Sequence, residues 1–543
     1  MPDPVPETTV DRLRVAAAQF ACGGDPADNL AKCLQSIDTA AAEKADLIVL
    51  PEFCNHNSVY NDAAHCREVA VTPEGEWLNT IAQRAAKHRL YVALAVTMLR
   101  HDNRVTITNA LFDPSGNLVA TADKQMLMGN ERAFLSPGSE PRGPVPTKFG
   151  PVGLYACMDG VTFEIPRALA VQGARLLINS LNSFARDEAT LHIPVRAAEN
   201  GVFVVAANKV GPLVPAKDAE AFSAALGVDP EALNGAGESQ IVSPDGTVLA
   251  IAPRSGEALV VSDIDLSQTV PQRLKNRRPT LYSPLTQAQT ATPVGTINRE
   301  VKVACVSAAR TNPEFVQAAI ASGASLLVLP ELSEPPQTIP AGVFVVTSAM
   351  QSADNGTVCH VGQVWTATGL VHEQPQLHFS ERYRQVSEFA SSLSLCETPF
   401  GDLAVLVGDD HRYPEAFRLA AIAGAHLLAV CWQPEFAWET GLALRERCAE
   451  NRLVVAACAP TGCLGAAVMF DPPADSLWNA TRSSAFDGTI NNPEMFEANP
   501  NDRLLVASLH PLRATNRQIS KDTDLVAGRP WRGCGALSAP TSH

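Results

Sequence analysis

The sequence contains no uninterrupted apolar run of about 18 residues, so no membrane-spanning helix and no membrane partner are expected. Its amino terminus, MPDPVPETTVDRLR, carries prolines and acids without an apolar stretch, which does not fit a secretory signal. None of the 13 cysteines forms a C-x-x-C pair, and their number is odd. That usage argues against a disulfide framework or a zinc site and for buried thiols in a reducing compartment, so a cytoplasmic location is expected. Basic residues are outnumbered, 42 Lys and Arg against 57 Asp and Glu, for a net charge of −15. Such a chain has no electrostatic means of holding a phosphate backbone, and nucleic acid is not an expected partner. The motifs G-x-S-x-G, H-E-x-x-H and the P-loop are all absent, as is a Gly/Ser-rich nucleophile segment with a Ser–Lys partner. GAGESQ is too poor in glycine to be a dinucleotide loop.

What is present is apolar. Hydrophobic residues make up 46% of the chain and charged ones 18%, which excludes intrinsic disorder. With 543 residues, at least two hydrophobic cores are required.

The chain contains itself twice. Phe149 to Gly211 lies over Phe400 to Gly462 without a gap at an offset of 251. Asp159 then meets Asp410, Glu164 meets Glu415, Arg167 meets Arg418, Arg196 meets Arg447 and Glu199 meets Glu450. ADLIVLPEF, with Glu52, likewise repeats as ASLLVLPEL, with Glu331. Between these blocks the first copy is longer by 28 residues, since 105 separate Glu52 from Cys157 and 77 separate Glu331 from Gly408. We therefore expect a first domain over 1–270, a linker or wrapping extension over 271–298 and a second domain over 299–543, together forming an internal pseudo-dimer. Within each copy, apolar runs such as DLIVLP and VGLYAC read as buried strands. NLAKCLQSIDTAAAEK and EWLNTIAQRAAKH have the spacing of amphipathic helices, and SPDG reads as a hairpin turn. The alternation predicts an α/β layer fold.

Three ionisable residues stand where strands of the first copy run out: Glu52, Lys124 and Cys157. Strand ends in α/β folds are where ligand clefts form. Their flanks fall in a fixed order: LPE, K-x-x-L, Glu131, C-x-D-G-x-x-x-E-x-x-R and R-A-A-E-N. Over residues 13–265 this order resembles the nitrilase superfamily of carbon–nitrogen hydrolases. CMDGVTFEIPRALAVQGARLL is most similar to the amidase and formamidase branch, whereas nitrile-cleaving members carry Trp-Glu where Met158 and Asp159 stand. The resemblance implies a four-layer αββα sandwich and a catalytic triad of Glu52, Lys124 and Cys157. It also implies that Glu131 is a second glutamate beside the substrate.

The chemistry is coherent. An amide is a poor electrophile, and a thiol nucleophile divides its hydrolysis into acylation and deacylation. The thiolate is the reactive form, so a cation or helix terminus near Cys157 is expected to lower its pKa. Glu52 would move protons, while Lys124 and the backbone N–H of Met158 would hold the oxyanion. Arg196 and Glu199 recur in both copies and are read as residues that hold the fold together.

In the second copy Gly408 replaces Cys157, and Gln376 or a neighbour replaces Lys124; only Glu331 persists. A glycine cannot carry an acyl group, so this copy is expected to be catalytically dead, unless Cys431 or Asp410 has taken over. A fused dead copy could supply a subunit interface in cis and shape the rim of the live cleft. For the substrate, a small amide is expected, with a nitrile or an N-carbamoyl compound as alternatives and a non-catalytic ligand-binding or scaffold protein as the reading from another class. Asn179, Ser180, Asn182 and Phe184, after ARLLINS, are expected to line the pocket. The 28 extra residues and the insertion Gly211 to Gly237 are expected to help shape it. No metal or organic cofactor is called for, and the sequence is compatible with a homo-oligomer built on the internal pair.

Overall fold

A computed structural model describes residues 10–289, 300–308, 314–477, 482–499 and 501–539. The expectation about the amino-terminal segment falls mostly on residues 1–9, outside the described residues. Among the described residues no helix is long and apolar enough to cross a membrane.

The first half begins with β1 (Arg12–Gln19), α1 (Pro26–Ala42) and β2 (Leu47–Val49). The side chain of Asp25 caps α1 by accepting the Ala27 N–H, Pro26 sits where no intrahelical N–H is needed, and Cys33, Ile37 and Ala40 form its buried stripe. Then follow α2 (Ala63–Val69), α3 (Glu76–His88), β3 (Tyr91–Leu99), β4 (Val105–Phe112) and β5 (Leu118–Asp123). The chain continues through β6 (Val145–Thr147), β7 (Gly150–Ala156), α4 (Met158–Val161), α5 (Glu164–Val171), β8 (Leu176–Ser180), α6 (Ile193–Asn200) and β9 (Phe203–Ala207). It ends with β10 (Val210–Pro212), α7 (Ala219–Leu226), β11 (Asn234–Ala236), β12 (Gln240–Val242), β13 (Val248–Ile251) and β14 (Ala258–Asp265).

These strands make two six-stranded sheets, β14-β1-β2-β3-β4-β5 and β13-β12-β9-β8-β7-β6. The centre of each is parallel, β1-β2-β3 in one and β7-β8-β9 in the other, as strands buried on both faces require. Val15, Val49, Leu154, Ile178 and Val205 interdigitate between the sheets. α1 and α3 cover the outside of the first sheet; α5 and α6 cover the second. The SPDG turn joins β12 to β13, with the Ser243 N–H donating to the Thr247 carbonyl at 2.9 Å.

The second half repeats the plan: β15 (Val301–Cys305), α8 (Glu314–Ala321), β16 (Leu326–Val328), β17 (Phe344–Ser352), β18 (Val358–Thr366), β19 (Gly369–Pro375), β20 (Leu403–Val407), α9 (Pro414–Ala423), β21 (Leu427–Cys431), α10 (Arg445–Asn451), β22 (Val454–Cys458), β23 (Ala467–Asp471), β24 (Glu494–Glu497) and β25 (Leu505–Leu509). Its sheets run β19-β18-β17-β16-β15-β25 and β20-β21-β22-β23-β24. No helix stands between β16 and β17, so most of the first half's extra length is α2 and α3. Leu78, Ile81 and Ala85 of α3 pack on the outer face of the first sheet, while Ser58 and Val59, in the same longer stretch ahead of α2, line the cavity beside Glu131.

The two halves meet through their α5/α6 and α9/α10 layers, giving eight layers in series. Phe163 and Ala168 share a core with Phe417, Ala420 and Trp432. Across this contact the ion pairs are reciprocal. Arg167 Nε meets Glu415 Oε1 at 2.9 Å, and its repeat mate Arg418 Nε meets Glu164 Oε1 at 2.8 Å. Arg196 Nη2 meets Glu450 Oε2 at 2.8 Å, and Arg447 Nη2 meets Glu199 Oε2 at 2.5 Å. All eight side chains are buried. Residue i of one half meets j of the other and j meets i, the signature of a two-fold interface, here within one chain.

The segment expected as a linker or wrap, 271–298, is described as far as 289. Its turn Pro279–Thr286 puts Leu281, Tyr282 and Leu285 into the core with the second half, and Arg277 Nε pairs with Glu415 Oε1 at 2.8 Å. Residues 290–298 lie outside the described residues.

Candidate active site

Glu52, Lys124 and Cys157 each follow a strand: β2, β5 and β7. Backbone bonds fix each position. Glu52 N–H donates to the Leu181 carbonyl at 3.1 Å, and Lys124 N–H to that of Ile107 at 2.8 Å. Cys157 N–H donates to the Ser180 carbonyl at 3.0 Å and to Asn179 Oδ1 at 3.0 Å. Lys124 Nζ lies 2.9 Å from Glu52 Oε1 and 2.9 Å from Glu131 Oε1. Glu131 Oε2 accepts the Met128 N–H at 2.9 Å, so this carboxylate is fastened at both oxygens. Glu52 Oε2 is buried and has no hydrogen-bond partner among the described residues.

The electrostatics follow from burial. Glu52 is fully buried; desolvation outweighs the opposing pull of Lys124 and, helped by Glu131, pushes its carboxyl up to about 7. Desolvation also acts against charge on Lys124, but Glu131 and Glu52 overcome it and hold the ammonium well above its ordinary value. The Cys157 thiol is 6% exposed; burial first, and then the Glu52 carboxylate, raise it well above 9.0 against the pull of Lys124. The expected standing thiolate is therefore corrected: at rest the sulfur keeps its proton. Cys157 is the N-cap of α4, which is only four residues long, and α5 follows from Glu164.

Cys157 has φ 45° and ψ −107°, a conformation that costs a non-glycine residue about 1–3 kcal/mol. At the matching turn Gly408 has φ 61°, where glycine is at ease. Around Gly408 the second half has a different set of groups. Its N–H donates to Glu331 Oε1 at 2.7 Å, while Glu331 Oε2 accepts from Tyr383 at 2.6 Å and Arg382 at 3.0 Å. Gln376 N–H donates to the His360 carbonyl at 2.8 Å, just as Lys124 N–H does to Ile107, so Gln376 is the partner of Lys124. Cys431 is buried in the inter-sheet core, and its thiol is raised well above 9.0 by desolvation. Asp410 accepts the Leu377 and His378 N–H groups.

Of the residues expected in the pocket, Asn182 and Phe184 line a cavity beside Glu131, together with Met128, Leu213, Phe222 and Leu226. Asn179 and Ser180 do not line it: Asn179 holds the Cys157 N–H, and Ser180 Oγ donates to the Leu50 carbonyl at 2.8 Å, tying the two sheets together. They end a strand whose side chains turn to structural partners. Met158 places its N–H at the first position of α4 and its side chain in a cluster with Met126 and Val161.

Asp159 was missed. Its carboxylate accepts the N–H of Gln125 at 3.1 Å and of Met126 at 2.8 Å, the two residues after Lys124, and burial pushes it up to about 7. It binds the lysine segment to the nucleophile turn. Asp410 keeps the same bonds, which marks the role as positional and explains why the repeat preserves it. Asn179 shows the opposite pattern, with Val430 at the matching position in the half that lacks the cysteine.

Residues 14–273 match the family model described as carbon-nitrogen hydrolase. A nitrilase of Pyrococcus abyssi is 27% identical over 243 residues, covering 45% of this chain and 85% of the relative. An omega-amidase of Danio rerio is 28% identical over 292 residues, covering 50% and 98%. Among solved structures, an amidase from Nesterenkonia sp. superposes with a TM-score of 0.40 at 23% identity, covering 49% of this chain and 93% of that one. Residues 14–273, just under half of the chain, are thus a carbon-nitrogen hydrolase domain similar to members of the nitrilase superfamily.

Proposed function

We propose that the first half hydrolyses the carbon–nitrogen bond of a small linear amide through a thioester on Cys157, releasing a carboxylic acid and ammonia. The observation that carries this reading is the free, buried Oε2 of Glu52, on a carboxyl held near 7 beside a thiol that is protonated at rest. A base so poised takes a proton as the sulfur attacks, without needing a standing thiolate. The sulfur then bonds to the amide carbon. The carbonyl electrons move onto oxygen, where Lys124 Nζ and the Met158 N–H donate to the oxyanion. On collapse the C–N bond breaks, and Glu52 returns the proton to nitrogen, which leaves as ammonia. Glu52 next takes a proton from water, whose oxygen attacks the thioester. The C–S bond breaks, the acid departs and the thiol recovers its proton.

Glu131 shares the ammonium of Lys124 with Glu52 and borders the substrate. The second half, with Gly408 and Gln376 at the nucleophile and lysine positions, is proposed as a non-catalytic domain that completes the interface.

The test is ammonia release from aliphatic amides, nitriles and ureido acids by the full chain, with intact-mass detection of an acyl adduct. Turnover of amides, abolished by Cys157→Ala together with the adduct, is the expected result. Preference for a nitrile or a ureido acid replaces the amide assignment; no ammonia from any class and no labelling of Cys157 overturns the enzyme reading in favour of a scaffold.

A further inference from the structure

The cavity beside Glu131 has a volume of about 120 Å³ and a composition that defines its guest. Phe184, Leu213, Phe222 and Leu226 supply walls from the first half, the last three from the insertion Gly211 to Gly237. Leu477 and Ser520 come from the second half. Among its described lining residues there is no lysine, arginine or histidine, and the one charged residue is Glu131, a carboxylate. We infer that this cavity takes the acyl chain of the substrate, that it selects an uncharged aliphatic chain of about four to six carbons, and that the second half sets its depth through Leu477. This deepens the proposed amide hydrolysis and rests on it.

Three observations converge. The cavity lies next to the chemistry, since Glu131 lines it and is bonded to Lys124. Its size is close to that of apolar cavities of about 150 Å³ that accept benzene. A second carboxylate there would meet Glu131, whose charge is already taken up by Lys124, and no lysine, arginine or histidine among the described lining residues would offset the newcomer's charge or desolvation.

The second half is anchored where it forms the wall. The Leu477 N–H donates to the Ile519 carbonyl at 2.9 Å. Thr523 Oγ1 accepts the Gly129 N–H at 3.0 Å, on the turn that carries Glu131. Phe486 meets Phe184 edge to face with centroids 6.1 Å apart. Asp187 accepts the Ile490 and Asn491 N–H groups, the latter at 2.8 Å. The wall is thus fixed in place by residues of both halves.

The experiment measures kcat/KM of the full chain on acetamide, propionamide, butyramide, pentanamide, hexanamide and octanamide, and on glutaramic acid, which matches pentanamide in length but ends in a carboxylate. Each methylene that enters the cavity raises kcat/KM about fourfold, from a burial worth about 0.8 kcal/mol. The rise stops near five or six carbons, and glutaramic acid falls at least 100-fold below pentanamide. Leu477→Trp moves the optimum to shorter amides and Leu477→Ala to longer ones; either variant suffices should the other fail to fold. Equal or better use of glutaramic acid overturns the inference, as does an unmoved optimum in a folded Leu477 variant. Absence of ammonia from every amide instead overturns the underlying reading, and the inference with it.

Discussion

Replacing Glu52 with glutamine probes the proposed chemistry most directly, because the two side chains have the same shape. In the native site Oε1 accepts from Lys124 at 2.9 Å and Oε2 is free. Glutamine keeps one acceptor for the ammonium but puts an NH2 donor where the thiol proton must go. Loss of a general base costs about 10²–10⁴ in rate, or roughly 3–5 kcal/mol. The pH profile sharpens the test. The Glu52 carboxyl is held at about 7 and works only when ionised. The native kcat/KM should therefore rise with pH through about 7, with about a tenth of the groups ionised one unit lower. Glu52→Gln should lose both the rate and this acid limb. Asp159 is also pushed to about 7 but binds only backbone N–H groups, so Asp159→Asn should keep the limb. Ammonia release between pH 5 and 9 measures all three proteins. A Glu52→Gln enzyme within tenfold of native, or one that retains the limb, would refute the assignment of Glu52 as the proton carrier.

Arg196 makes contact with Glu199, Glu446 and Glu450 and donates from Nε to the Gly160 carbonyl at 2.9 Å. Arg196→Met should leave buried carboxylates uncompensated and cost about 3–5 kcal/mol in urea unfolding; a loss below 1 kcal/mol would contradict the role given to the network. Glu415 is held well below its ordinary 4.5, because Arg167 and Arg277 outweigh its desolvation. A depressed carboxyl stabilises the fold above its unfolded value and ceases to as pH falls, so the stability gap between native and Glu415→Gln should be full at pH 7 and shrink below about 4.5. Introducing Gly408→Cys into Cys157→Ala should restore no hydrolysis, since a Cβ at Gly408 would lie 2.6 Å from Gln376 Oε1 and no lysine is at hand. Ammonia release by that double variant would show that the second half retains chemistry.

Glu52, Lys124 and Cys157 could be picked out in the sequence because each ends an apolar run and because their flanks form an ordered set. The repeat was equally open to reading, since a constant offset needs no three-dimensional information. Other features depend on what surrounds a residue. Asn179 and Ser180 end the strand beside the nucleophile, yet alternation along a strand sends their side chains to a backbone N–H and to the other sheet. The protonated thiol results from burial and a neighbouring carboxylate acting together, and neither is written at position 157. The pairing of Arg167 with Glu415 joins residues 248 apart, a choice made by helix packing and not by any local pattern.

The reciprocal arginines and glutamates show how much of the two-fold plan survives, and the covalent join explains what has been able to leave it. In a dimer of identical chains, every substitution at the contact appears twice, so a change that helps one cleft burdens its twin. Joining the copies removes that constraint. Phe184 and Glu435 occupy matching positions, as do Cys157 and Gly408, and each could diverge without altering its counterpart. Each half is thereby free to change its own cleft while the shared contact stays intact.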